Sequence, residues 1–132
     1  MFGATKRRRL VDLPELQELG PVRVDVNHYE ANVALIAAEH ADFGGEVQAR
    51  LEPAPGEDAL TVVLRYASHK LPVGHLTAAT LGGQLYDQIL KHYRHGELVA
   101  CTADILSGSS YEVWLNRPSM QGARRAPSLR PA

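Results

Sequence analysis

The stretch Leu71-Pro72-Val73-Gly74-His75-Leu76, running straight into Thr77-Ala78-Ala79-Thr80-Leu81, decides how this chain folds. Its first half is a short apolar strand that Pro72 and Gly74 bend, with an imidazole at the exit. Thr77 can then accept a bond from the free amides of a helix whose Leu81, Leu85, Ile89 and Tyr93 recur every four residues. A strand that hands a polar ring to a helix N-terminus builds a binding corner. It does not by itself make a catalytic one.

The pattern extends in both directions from that corner. Upstream, Val47, Ala49 and Leu51 alternate with Glu46, Gln48, Arg50 and Glu52, a strand with one dry face. Pro53 to Asp58 turns, and Leu60 to Tyr66 returns with Val62, Leu64 and Tyr66 inward. Pro21 to Val26 reads as the first strand, and Tyr29 to about Ala41 as a helix with Val33, Ile36, Ala37 and His40 on one stripe. Gly44-Gly45 stops it. Downstream, Gly96 ends the helix that runs from Ala78 to about Tyr93. Glu97 to Leu106 is a long strand, Ser107 to Ser110 a turn, and Tyr111 to Asn116 its return.

That order has about six strands and two main helices, with no internal repeat and no regular βαβ alternation. It predicts an α+β domain built around a small, partly open β-barrel of the OB or SH3-like kind. The domain should span residues 21–117, behind a basic tail over 1–20 that holds a short helical turn from Pro14. Residues 118–132, rich in Pro, Arg, Ser and Gly, read as a disordered basic tail.

At 132 residues the chain is one domain in length, and it can bury a core without a metal or a disulfide. Its only cysteine, Cys101, sits in an apolar alternation and reads as a small core residue. No run nears the roughly 18 apolar residues of a membrane span, and no signal-peptide core follows the basic start. A soluble cytoplasmic protein is the default expectation. The net charge of −1 conceals an uneven distribution. Lys6, Arg7, Arg8 and Arg9 give one end +4, and Arg117, Arg124, Arg125 and Arg130 give the other +4. All 15 acids lie between residues 11 and 116 against six bases, so the body carries −9. Cationic arms suit phosphate backbones, whereas an acidic body argues against broad duplex binding.

With these elements in order, residues 21–117 resemble a HIRAN domain. That module is found at the front of helicase-like transcription factors and as small stand-alone bacterial or phage proteins. The resemblance rests on an early strand leading into His28-Tyr29, a strand ending in Glu52-Pro53, and a turn into Ala59-Leu60-Thr61-Val62. Val73-Gly74-His75-Leu76 opening a helix and a closing hairpin complete it. It implies a barrel related to OB folds that binds single-stranded DNA, especially a free 3′ end, as an accessory of DNA repair or replication. The family's arginine-aromatic-aromatic trio falls on Asn27, His28 and Tyr29, so one ring is kept, one is smaller, and the charge is lost. The aspartate that contacts the 3′-hydroxyl has its counterpart at Glu57 or Asp58, in a turn about two residues shorter. The family's histidine is retained as His75. Without the arginine, phosphate attraction falls to Arg23, Arg65, Lys70 and, less specifically, Lys6, Arg7, Arg8 and Arg9.

Other chemistry is weaker. His92 and His95 stand at i, i+3 but lack a third ligand, so no metal or other cofactor is expected. Ser107-Gly108-Ser109-Ser110 lacks the strand-turn-helix setting of a nucleophile elbow. Gly82-Gly83 interrupts the main helix, where a close packing contact is the expected reason, and so is not a phosphate loop. Tyr111 and Trp114 lie on opposite faces of the last strand, with Trp114 the candidate stacking platform. The reading is a non-enzymatic module for single-stranded DNA or its 3′ end. Its rival is a protein-interaction module on the same scaffold, docking a partner through the acidic body.

Overall fold

The computed structural model describes residues 8–117. Eleven elements follow one another: β1 (Arg9–Val11), α1 (Pro14–Glu18), β2 (Val22–Val24), α2 (Glu30–Phe43), β3 (Val47–Pro53), β4 (Ala59–Tyr66), β5 (His69–Thr77), α3 (Ala78–Leu81), α4 (Gly83–Arg94), β6 (Glu97–Ser107) and β7 (Tyr111–Leu115). The class is α+β. Seven strands form one curled, half-barrel sheet with two main helices, α2 and α4, and two short ones.

The strand order is β2-β7-β6-β3-β4-β5, antiparallel throughout, with β1 parallel to the start of β6. The two ends of that path meet. Asp25, just after β2, exchanges both backbone bonds with His75 of β5, at 3.1 and 2.9 Å. Gly74 permits this closure, because a Cβ there would stand 2.2 Å from the Asp25 carbonyl oxygen and 2.7 Å from Val24 Cγ1. A bulge between Val62 and Val63 bends the β4–β5 hairpin at the same level.

Alternation sets the core as the pattern requires. Val47, Ala49 and Leu51 on β3 and Val62, Leu64 and Tyr66 on β4 point inward and are buried. Val33 and Ile36 of α2 and Leu85 and Ile89 of α4 cover them. Each fully buried aliphatic contributes roughly 1.5–3 kcal/mol of transfer free energy.

Four expectations need correction. Residues 9–20 are part of the folded unit, so the boundary expected at residue 21 falls too late and the strand count rises from about six to seven. Leu13 and Leu16 are buried in the core, and Arg9–Val11 covers the part of β6 that β7 does not reach. The single helix from Ala78 is two, since Gly82 adopts φ 91° and ends α3 before Gly83 opens α4. Close packing is not the reason for that glycine pair, because a Cβ on either would meet nothing within 4 Å. On β7 the more exposed ring is Tyr111, at 37%, while Trp114 is half-buried with its indole N–H donating to Glu112 at 2.9 Å. The tail expected over 118–132 lies outside the described residues.

Candidate nucleic-acid interface

Closure of the sheet at Asp25 and His75 puts the end of β2 beside the exit of β5. The chain then leaves β2 through a tight turn in which the Tyr29 amide donates to the Val26 carbonyl at 2.9 Å. His28, the third residue of that turn, has φ 75°. This left-handed position normally falls to glycine or asparagine, and holding a histidine there stores about 1–2 kcal/mol of strain. The Asp25 carboxylate steadies the turn by accepting from the Asn27 amide at 3.1 Å.

The turn delivers Tyr29 onto His75. Their ring centroids are 5.4 Å apart at 68°, an edge-to-face pair, and both side chains are half-buried. Such a pair is worth about 0.5–1.5 kcal/mol beyond its area. His28 beside them is exposed. Tyr29 is also the N-cap of the 14-residue α2, whose first amides receive no side-chain cap. That end attracts anions, although Glu30 in the first turn competes with them. Together the elements offer a ring for stacking, imidazoles that can donate to phosphate or a base edge, and free amides.

The other candidates divide. Asn27 lines a groove of about 440 Å³ with Arg23, Glu30, Val33, Ser109 and Tyr111; His28, Tyr29 and His75 do not line it. The Asn27-His28-Tyr29 trio therefore does not face one pocket. Arg23, at that groove, lies 3.5 Å from Glu112. Arg65 and Lys70 are paired opposite one another on β4 and β5. Five residues separate Lys70 from His75, about 16 Å of strand, so these two cations do not belong to the ring pair's site. Asp58 is exposed three residues beyond Thr61, the partner of His75, which is about 10 Å of strand. Its carbonyl accepts from the Ala78 amide at 3.0 Å, so it stands at the start of α3 and not at the rings.

The arm residues are also committed elsewhere. The Arg8 guanidinium lies 3.5 Å above the Tyr93 ring and donates to the Tyr93 carbonyl. Arg9 pairs with Glu97, which accepts from His92 as well, at 2.6 Å. These bonds, led by that from His92, hold the Glu97 carboxyl below its ordinary value. Arg8 and Arg9 thus fasten β1 instead of standing free for phosphate; Lys6 and Arg7 lie outside the described residues. His95 turns to the Lys91 carbonyl, at 2.8 Å. Cys101 packs against the core, where burial pushes its thiol up to about 12. Among the described residues, no three His, Cys, Asp or Glu side chains converge as a metal site would require. No helix among them is long and apolar enough to cross a membrane.

Sequence reasoning passed over Asp25 and Gly74 as makers of the site. Asp25 carried a signal, an acid near the end of the first strand whose carboxylate can accept from the backbone amide two residues on. Comparisons with protein-family models, curated proteins and solved structures return no match to this chain.

Proposed function

We propose that this protein is a non-enzymatic module that takes an unpaired DNA strand, preferentially its 3′ end, in the manner of the HIRAN domains its motif order resembles. The observation that carries the reading is the Tyr29–His75 ring pair, held where the barrel closes and flanked by exposed His28 and the uncapped start of α2. A terminal base stacks on Tyr29 for about 1–3 kcal/mol, and His75 donates to its phosphate or edge. Among the described residues, Arg8 and Arg9 are tied to β1 and Arg65 and Lys70 are distant, so the ring site itself brings few cations to the strand. The cellular role that follows is an accessory of DNA repair or replication in the cytoplasm.

Fluorescence anisotropy with one oligonucleotide bearing either a free 3′-hydroxyl or a 3′-blocking group tests this. Tighter binding of the free end is the expected result. Equal binding refutes end recognition and leaves only single-strand binding; absent binding refutes both and, with a stoichiometric protein partner in a pull-down, selects the rival protein-interaction scaffold, which the uncharged Asn27 and the shortened turn at Glu57-Asp58 favour.

A further inference from the structure

Helix α2 runs antiparallel to β5 and meets it through one stripe of side chains. Tyr29, at the cap, packs edge-to-face with the His75 imidazole. Asn32 donates from its side-chain amide to the Pro72 carbonyl at 2.8 Å, and Glu39 pairs with Nε2 of His69. At about 100° per residue Tyr29, Asn32, Ile36 and Glu39 lie within roughly 80° of one another, and Ile36, inside that stripe, is fully buried.

The spacings match as well. Against β4, His75 stands opposite Thr61, Pro72 opposite Val63 and His69 opposite Tyr66, the bulge having made Val73 an extra residue. From His75 to Pro72 is therefore about 7 Å along the ladder, and from Pro72 to His69 about 10 Å. The corresponding rises along α2, from Tyr29 to Asn32 and from Asn32 to Glu39, are about 5 and 10 Å. A slip of the helix by one turn would break all three contacts at once.

Asn32 makes the contact nearest the rings. It is half-buried, carries its amide on a stem of two torsions, and lies one turn from Tyr29. The turn ahead of Tyr29 is strained at His28, with φ 75°, and such a conformation persists only where its surroundings hold it. Without a tie between α2 and β5, relaxation of His28 would swing the Tyr29 ring off His75. We propose that Asn32 is a positioning residue for the ring site: by fastening the first turn of α2 to the β5 bulge, it sets Tyr29 against His75 before any strand arrives. The functional consequence rests on the strand-binding reading above, since a preset pair receives a terminal base without the ordering cost of a mobile ring.

The ring-proton shifts of His75 in the full, DNA-free chain test the placement, with Tyr29→Ala marking an imidazole that has lost its partner ring. Asn32→Ala should carry the His75 signals more than half of the way to that limit. Glu39→Ala, which cuts the contact about 15 Å further along α2, should leave them near the parent. Anisotropy with an oligonucleotide bearing a free 3′-hydroxyl should show Asn32→Ala binding about two- to tenfold more weakly, the worth of the ring pair, and Glu39→Ala binding as the parent does. Should Asn32→Ala fail to fold, Asn32→Asp carries the shift measurement. It keeps the size, an acid suits the first turn of a helix, and a carboxylate cannot donate to the Pro72 carbonyl. His75 signals that stay at the parent values without the Asn32 amide, or that move as far in Glu39→Ala, overturn the proposal. So does a shifted His75 with undiminished affinity for the strand. A parent protein that binds no oligonucleotide refutes the strand-binding reading alone, because the His75 shifts still decide what Asn32 holds.

Discussion

Replacing Gly74 by alanine should unfasten the barrel and the site together. The added methyl carbon would lie 2.2 Å from the Asp25 carbonyl oxygen, 2.7 Å from Val24 Cγ1 and 2.9 Å from the Asp25 carbonyl carbon. Two of those contacts are backbone, so no side-chain rotation relieves them. The strands must separate, which forfeits the two Asp25–His75 backbone bonds. Those bonds are worth about 1 kcal/mol each, and forced backbone movement adds about 1–3, so the cost is roughly 3–5 kcal/mol. For a domain of this size that corresponds to a fall of about 10–20 °C in melting temperature. Urea unfolding followed by the fluorescence of Trp114 measures it, with Gly83→Ala as the control. Gly83 has open space where its Cβ would stand and lies at the start of α4, so alanine there should be neutral or stabilise by up to about 1 kcal/mol. Because His75 is carried on the displaced strand, Gly74→Ala should also lose single-strand binding at temperatures where it remains folded. A Gly74→Ala protein within about 0.5 kcal/mol of the parent would refute the claim that the β2–β5 approach closes the sheet.

Tyr29→Ala should weaken single-stranded DNA binding by about 5- to 150-fold, the worth of one stacked base, while Arg65→Ala should change it little; anisotropy titrations of both variants decide. Glu97 has its pKa lowered on folding, so its contribution is present above the ordinary carboxylate range and is lost as pH falls through its folded value. The protection of amides 9–11, corrected for the intrinsic slowing of exchange in acid, should therefore fall on acidification before that of the rest of the sheet, and Glu97→Gln should remove that acid step. The Cys101 thiol, pushed up to about 12, should resist alkylation at neutral pH in the folded protein and react at once in denaturant, as mass spectrometry would record.

The fold was largely legible because period-2 alternation leaves little choice of face. Val47-Ala49-Leu51 and Val62-Leu64-Tyr66 had to point one way, and they are buried. The Thr77 cap was legible for the same local reason, and its hydroxyl accepts from the Thr80 amide at 3.2 Å. What escaped depends on long-range pairing. Arg9–Val11 has no alternation to speak of, and it becomes a strand only because β7 leaves an edge of β6 open 88 residues away. The Gly82 break was visible as a glycine pair, but its cause, a left-handed φ, was not. In the candidate site, sequence order brought Tyr29 and His75 forward, and the structure sets their rings side by side. It could not show that Asn27 faces a different groove, or that Arg65 and Lys70 sit at the far end of their hairpin. Those facts follow from the turn at His28 and from the register of β4 on β5.

Titration of the isotopically labelled protein with a short single-stranded oligonucleotide ending in a free 3′-hydroxyl, followed by amide and ring chemical shifts, bears most directly on the central claim. The largest changes should fall on His28, Tyr29 and His75 and on the first turn of α2. Saturable binding whose shifts cluster elsewhere, for instance around Arg65 and Lys70, with these rings unmoved, would contradict it.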